Sequence, residues 1–240
     1  MNKSIVILHG WGGGVNSFEK TTAFLKDKGI SVFIFDLPGF RSEPAPQSPW
    51  SVDDYVNFAS QKIQSFGLDK FYLFGHSFGG RISIKFAEKY PEKLIGLILC
   101  DAAGVTPRPK IKIAVFGFLS KIGNGIFKVS FLKPLQKLVR KFVYFLSGER
   151  DYYYLQNGVM RETFKKVINE DLTFYLNKIK TPTLIIWGKN DKMTPVADAY
   201  VINKNIAGSR LEILKDVGHS PHLQSPEKLG EIVADFLQKF

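Results

Sequence analysis

An apolar run, Lys70-Phe71-Tyr72-Leu73-Phe74, leads straight into Gly75-His76-Ser77-Phe78-Gly79-Gly80 and then into Arg81-Ile82-Ser83-Ile84-Lys85-Phe86-Ala87. A strand, a Gly-x-Ser-x-Gly turn and a helix in that order admit few architectures. The turn is tight enough to force Ser77 into a strained backbone conformation, and Gly75 and Gly79 leave room for it. The serine hydroxyl is then exposed at the tip of a sheet, facing the positive end of the helix. Taken alone, the pentapeptide also reads as a glycine-rich turn with a capping serine. The strand before it and the helix after it favour a nucleophile.

Three other segments extend the motif. His9-Gly10-Trp11-Gly12-Gly13 follows the apolar run Ser4-Ile5-Val6-Ile7-Leu8. Acyl transfer needs two backbone donors for the developing oxyanion. By position these are the N–H groups of Trp11 and Phe78. The same loop lacks the Lys-Ser/Thr ending of a phosphate loop. Asp191 lies in Trp187-Gly188-Lys189-Asn190-Asp191, beyond the run Thr183-Leu184-Ile185-Ile186. His219 lies in Val217-Gly218-His219-Ser220, beyond Leu211-Glu212-Ile213-Leu214. Ser77, Asp191 and His219 thus all follow strand ends, where open α/β sheets place their sites. Asp101 also ends an apolar run and is the second candidate for the acid. His76 fits a supporting role beside the nucleophile, His9 a brace for the oxyanion loop, and His222 packing or capping near the last helix. The four histidines are scattered and no Cys/His pair has ligand spacing, so neither metal nor cofactor is expected.

These segments resemble the α/β-hydrolase superfamily, and the resemblance covers nearly the whole chain. Asp36-Leu37-Pro38-Gly39-Phe40 and Gly218-His219 with Ser225-Pro226-Glu227 look like the branch holding carboxylesterases and carbon–carbon bond hydrolases. That branch usually continues Gly-x-Ser after the phenylalanine, whereas Arg41-Ser42 stand here. The resemblance implies an α/β-hydrolase fold with about six mainly parallel strands flanked by helices, without the usual N-terminal strand pair, and with an inserted helical cap. It also implies a serine hydrolase of small to medium uncharged carboxylic esters, working through Ser77, His219 and Asp191. One alternative is a hydrolase of carbon–carbon bonds in vinylogous diketones, with Arg81 or Arg161 holding a substrate carboxylate. Another is a non-catalytic hydrolase-fold binding protein. A serine at the elbow argues against the dehalogenase and epoxide-hydrolase members, which resemblance says use aspartate there.

The wider chain fits one α/β domain. Short apolar runs without strict alternation lie near 4–8, 31–36, 70–75, 94–100, 182–187 and 210–214, as in a parallel sheet covered on both faces. Helical patterns lie near 17–28, 52–65, 78–90, 195–205 and 226–239. Ser51 with Asp54, Thr194 before Pro195 and Ser225 before Pro226 mark helix starts, while Gly29 and Gly67 mark stops. Some eighty residues separate the fourth and fifth strands, with helical spacing over 112–147 and 158–176, broken at Gly123-Asn124-Gly125 and near Gly148. Residues 105–175 are expected to form the cap, and 1–104 with 176–240 the core. Between Gly104 and Glu170 stand thirteen Lys and Arg against four Asp and Glu, nearly all of the chain's net +11. A solvated basic helix face is preferred over docking on anionic membranes; nucleic-acid binding is not expected, because stacking and base-reading motifs are absent. The single cysteine, Cys100, cannot form an internal disulfide and reads as a buried thiol. Only four apolar residues fall between Ser4 and His9, too few for a secretory core, and no apolar stretch reaches a membrane span. A cytoplasmic enzyme acting on a small-molecule ester is the expectation.

Overall fold

The computed structural model describes residues 3–105 and 158–239. The expected breaks at Gly123-Asn124-Gly125 and near Gly148 lie outside the described residues, as does most of the expected cap. Six parallel strands form one sheet among the described residues: β1 (Ser4–Leu8), β2 (Ser31–Ile34), β3 (Phe71–His76), β4 (Leu94–Cys100), β5 (Thr183–Gly188) and β6 (Arg210–Leu214), in the order β2-β1-β3-β4-β5-β6. The helices are α1 (Glu19–Asp27), α2 (Val52–Ser65), α3 (Phe78–Lys89), α4 (Gly158–Asn169), α5 (Thr173–Leu176), α6 (Val196–Asn205), α7 (Pro221–Gln224) and α8 (Pro226–Gln238).

The apolar runs lack alternation because both faces of the sheet are covered. Val6, Leu8, Phe71, Leu73, Leu97, Leu99, Ile185 and Trp187 point into one core, with residues of α2, α3 and α6. Ile5, Ile7, Tyr72, Phe74, Ile98, Cys100, Leu184 and Ile186 point into the other, closed by α1 and α8. Each of β3 and β5 is buried at every position, whereas the edge strand β2 is only half-buried throughout. Burying a Leu, Ile or Phe side chain gains about 1.5–3 kcal/mol, so two such layers hold the strand ends rigidly.

Helix boundaries follow the expected signals in part. Ser51 and Asp54 form a reciprocal capping box at α2. Gly29 and Gly67 take left-handed φ values of 76° and 69° just past α1 and α2. Ser225 caps α8 by position but makes no side-chain bond to it. Thr194 does not cap α6: Pro195 stands at the N-cap, and the Thr194 hydroxyl is used elsewhere. The returning part of the insertion, α4, is tied to the core. Trp50 N–H donates to Thr163 Oγ1 at 3.0 Å, and Lys166 Nζ to the Pro49 carbonyl at 2.8 Å. No helix among the described residues is long and apolar enough to cross a membrane.

Candidate active site

Register brings the strand ends level. Leu8 stands opposite Gly75, His76 opposite Cys100, Cys100 opposite Ile186, and Gly188 opposite Leu214. Everything just beyond those residues therefore shares one rim of the sheet. Ser77 takes φ 52° and ψ −109° there, a left-handed φ that costs a residue with a Cβ about 1–2 kcal/mol. Backbone bonds hold the strain: Ser77 N–H donates to Cys100 O at 3.1 Å, and Ser77 O accepts from Gly80 and Ala103 N–H at 3.0 Å each and from Arg81 N–H at 3.4 Å. Gly79 is obligatory, because a methyl group there would fall 2.1 Å from the Leu8 carbonyl oxygen. The helix can approach β1 that closely only without a side chain at this position.

Ser77, His219 and Asp191 stand in a hydrogen-bonded series. Ser77 Oγ–H donates to His219 Nε2 at 2.9 Å, and His219 Nδ1–H donates to Asp191 Oδ2 at 2.7 Å. Asp191 is itself locked by its own loop. Its Oδ1 accepts from Met193 N–H at 2.7 Å and Thr194 N–H at 3.0 Å, and its Oδ2 from the Thr194 hydroxyl at 2.6 Å. Burial works against charge on Asp191, but the bonds from His219 and Thr194 outweigh it and hold the carboxyl below its ordinary range. The His219 loop is fixed from two sides. Gly218 N–H donates to Gln224 Oε1 at 2.6 Å, and His76 Nε2–H donates to the His219 carbonyl at 2.7 Å.

The remaining histidines are buried and neutral. His76 lies edge-on to His222, with centroids 4.4 Å apart, and His222 stacks on Phe18 at 4.2 Å. Burial pushes His76 well down and His222 down to about 4. His222 therefore packs under the site rather than capping α8. His9 accepts the Leu37 N–H on Nε2 at 2.9 Å and donates Nδ1–H to Gly10 O at 2.8 Å, which braces the loop carrying Trp11.

The Trp11 and Phe78 amides make no bond to protein acceptors among the described residues. Phe78 opens α3, where first-turn amides lack intrahelical partners. Gly10 places the Trp11 turn beside the serine, since a methyl group on it would lie 3.3 Å from Ser77 Cβ. The Trp11 ring packs between Phe40, Phe78 and, from α4, Phe164, at centroid distances of 4.9, 5.1 and 4.9 Å. Arg41 takes a left-handed φ of 49°, a conformation open to the glycine common at this point. Ser42 still reaches Asp36 Oδ2 through its hydroxyl at 2.6 Å, so the altered loop stays closed.

Four residues behave differently from their sequence reading. Arg81 is buried and donates to the carbonyls of Glu170, at 2.8 Å, and Ile168, at 3.4 Å, binding the end of α4 to α3. Arg161 is exposed on α4. Asp101 is fully buried with φ 44°, and it does not bond to His219; its carboxyl lies against Asp191. Thr194 was legible only as a helix start, yet its hydroxyl lies within 3.2 Å of Asp191 Oδ2, His219 Nδ1 and the Asp101 carbonyl. Asp101, Asp191 and His219 bring potential metal-ligating atoms within 4.8 Å of one another, but Nδ1 and Oδ2 are already committed to each other.

A family model described as the alpha/beta hydrolase fold matches residues 3–226. The chain belongs to the α/β-hydrolase fold family. It is 30% identical to the proline iminopeptidase of Saccharolobus solfataricus, over 99% of this chain and 86% of that protein. It is 29% identical to the monoacylglycerol lipase ABHD6 of Mus musculus, over 98% and 75%. Among solved structures, the esterase EaEST of Exiguobacterium antarcticum superposes with a TM-score of 0.75 at 26% identity, covering 99% of this chain and 92% of that one. A 2-hydroxy-6-oxononadienedioate hydrolase of Klebsiella pneumoniae is 26% identical over 99% and 88%. These α/β-hydrolase relatives are hydrolytic enzymes, and this chain is a hydrolase of their fold.

Proposed function

We propose that the protein is a serine hydrolase of small to medium, uncharged carboxylic esters. The observation that carries this reading is the unbroken series from Ser77 Oγ through His219 to Asp191, mounted on a strained elbow. His219 takes the hydroxyl proton as Ser77 Oγ attacks the ester carbonyl carbon. Asp191 holds the imidazole in the tautomer that leaves Nε2 free and stabilises the cation that forms. The Trp11 and Phe78 N–H groups receive the oxyanion, each such donor being worth about 3–4 kcal/mol in comparable sites. His219 then protonates the leaving alcohol, and a water repeats the sequence to release the acid.

The same series serves amide and carbon–carbon bond hydrolysis, so the substrate decides between readings. The ester reading is preferred because Arg81, a candidate for a substrate carboxylate, is spent on backbone carbonyls. The buried rings around Trp11 favour an apolar acyl group. Retention of the whole series argues against a non-catalytic binding protein. The described end of the insertion, α4, borders this rim through Phe164 against the Trp11 ring. A lone buried thiol suits a reducing cytoplasm. The basic insertion keeps the protein dissolved rather than docking it on lipid, and neither a cofactor nor nucleic acid takes part.

The test is a panel of p-nitrophenyl esters of rising acyl length, beside a prolyl anilide and a vinylogous diketone. A serine-directed phosphonate should label Ser77 alone, and Ser77→Ala should lose ester turnover while keeping its circular dichroism spectrum. Faster turnover of the anilide or the diketone would replace the ester reading. Full turnover by Ser77→Ala would remove the nucleophile assignment.

A further inference from the structure

Asp101 and Asp191 are two buried carboxyls that share one small space. Asp101 is fully buried and the Asp191 side chain has no exposure. Like charges this close and this dry strongly oppose double ionisation, so at neutral pH one carboxyl keeps its proton. The donors decide which. Asp191 is met by Met193 N–H, Thr194 N–H, the Thr194 hydroxyl and His219 Nδ1–H, all at 2.6–3.0 Å. Asp101 is met by Gly188 N–H at 2.9 Å on Oδ1 and by the weak Cys100 thiol at 3.5 Å on Oδ2. Four donors stabilise charge on Asp191 and leave the proton on Asp101.

The backbone around Asp101 is also arranged for this contact. Its φ of 44° is left-handed, a costly choice for aspartate in the middle of a sheet rim. Asp101 N–H donates to Ile186 O at 3.0 Å, and the Asp101 carbonyl lies 3.1 Å from the oxygen of the Thr194 hydroxyl, whose proton goes to Asp191. The residue therefore ties β4 to β5 and to the loop that carries Asp191.

We propose that Asp101 is a positioning residue that works as a neutral carboxylic acid, donating its proton to Asp191 and so keeping Oδ2 of that carboxylate aimed at His219. This rests on the reading of Ser77, His219 and Asp191 given above. The ionisable groups facing Asp101 are Cys100 on its own strand, Asp191 from the loop after β5 and His219 from the loop after β6. Burial and the Asp191 charge push Asp101 up to about 8, and burial pushes the Cys100 thiol up further. The acid form therefore persists through neutral pH. Above about 8 the donor is lost, and a second carboxylate repels Asp191 from its place.

The test compares wild type, Asp101→Asn and Asp101→Ala in phosphonate labelling of Ser77 and in kcat and KM from pH 6 to about 9.5, a window spanning the transition. Asn keeps a donor toward Asp191 and cannot ionise. Wild type should lose kcat through an alkaline transition that Asp101→Asn lacks. Asp101→Ala should lower kcat about tenfold to a hundredfold at neutral pH with KM little changed, as expected for a missing bond to a charged group, and Asn should restore most of that loss. Difference infrared spectra should show a buried protonated carboxyl band in wild type that Asp101→Asn lacks. That measurement decides the matter if Asp101→Ala fails to fold. Labelled, active wild type with a pH profile superimposable on that of Asp101→Asn, or without the infrared band, would overturn the role of Asp101 alone. Wild type that hydrolyses substrate without labelling at Ser77 would overturn both assignments.

Discussion

Replacing Asp101 by Asn should change stability in a way set by pH, independently of any substrate. The carboxyl is raised from 3.8 to about 8 in the fold, with burial as the first cause and the Asp191 charge beside it. Between those values the folded chain holds a proton that the unfolded chain releases, so Asp101 favours folding less and less as pH rises from 3.8 to about 8. Above about 8 the cost is constant. At 1.36 kcal/mol per pH unit, the loss between pH 5 and pH 8 is about 3–4 kcal/mol from this residue. Asn accepts from Gly188 N–H and donates toward Asp191 as the protonated acid does, without the titration. Its advantage over wild type should therefore grow by about 3–4 kcal/mol across that interval. For a chain of this size, about 1 kcal/mol moves Tm by roughly 2–4 °C, so the Tm difference should widen by about 7 °C or more. Thermal or urea unfolding of both proteins at pH 5 and pH 8 measures it. A Tm difference equal at the two pH values would refute the reasoning, because it would mean that Asp101 carries the same charge in both states of the chain.

Other outcomes follow from single contacts. Thr194→Val removes the hydroxyl at 2.6 Å from Asp191 Oδ2 but leaves the backbone N–H bond, so Tm should fall by several degrees and kcat about tenfold, the worth of one charge-assisted bond. A value within twofold of wild type would make Thr194 a bystander. Gly79→Ala sets a methyl group 2.1 Å from Leu8 O, and about 3 kcal/mol or more of stability should be lost as α3 and β1 part. Soluble expression with unchanged unfolding would contradict so close an approach of helix and strand. His222 is held down to about 4 by burial, so the fold must shed its proton while the unfolded chain binds one below 6.5. Its contribution is intact above 6.5 and is lost as pH falls toward about 4, and His222→Gln should flatten acid unfolding across that window. An unaltered acid limb would place the titration elsewhere.

How far the chain can be read in advance depends on whether a residue's partners are close in sequence. The elbow is legible because Gly75, Ser77 and Gly79 are near neighbours, and the steric demand on them is local. Asp191 and His219 are legible because each follows a strand end, and parallel register brings such ends level. Thr194 misleads because Thr-Pro is a sound local signal for a helix start. Its hydroxyl instead serves Asp191, three residues back, and sits beside Asp101 and His219, which stand 93 and 25 residues away along the chain. Arg81 misleads for the same reason: charge suggests a substrate anion, while the fold spends the guanidinium on the carbonyls that close α4. Asp101 shows the limit most clearly. A carboxyl at a strand end looks like a rival to Asp191 as long as each is considered alone. In three dimensions the two are a pair, and the unequal supply of hydrogen-bond donors makes one the anion and the other its acid. His222 and Asp101 then tilt stability in opposite directions as pH rises, the first upward from about 4 to 6.5 and the second downward from 3.8 to about 8. The two slopes offset each other below 6.5, and above it only the fall from Asp101 remains. From these two residues, stability should therefore be level up to about pH 6.5 and then decline by about 2 kcal/mol toward pH 8, a decline that Asp101→Asn should abolish.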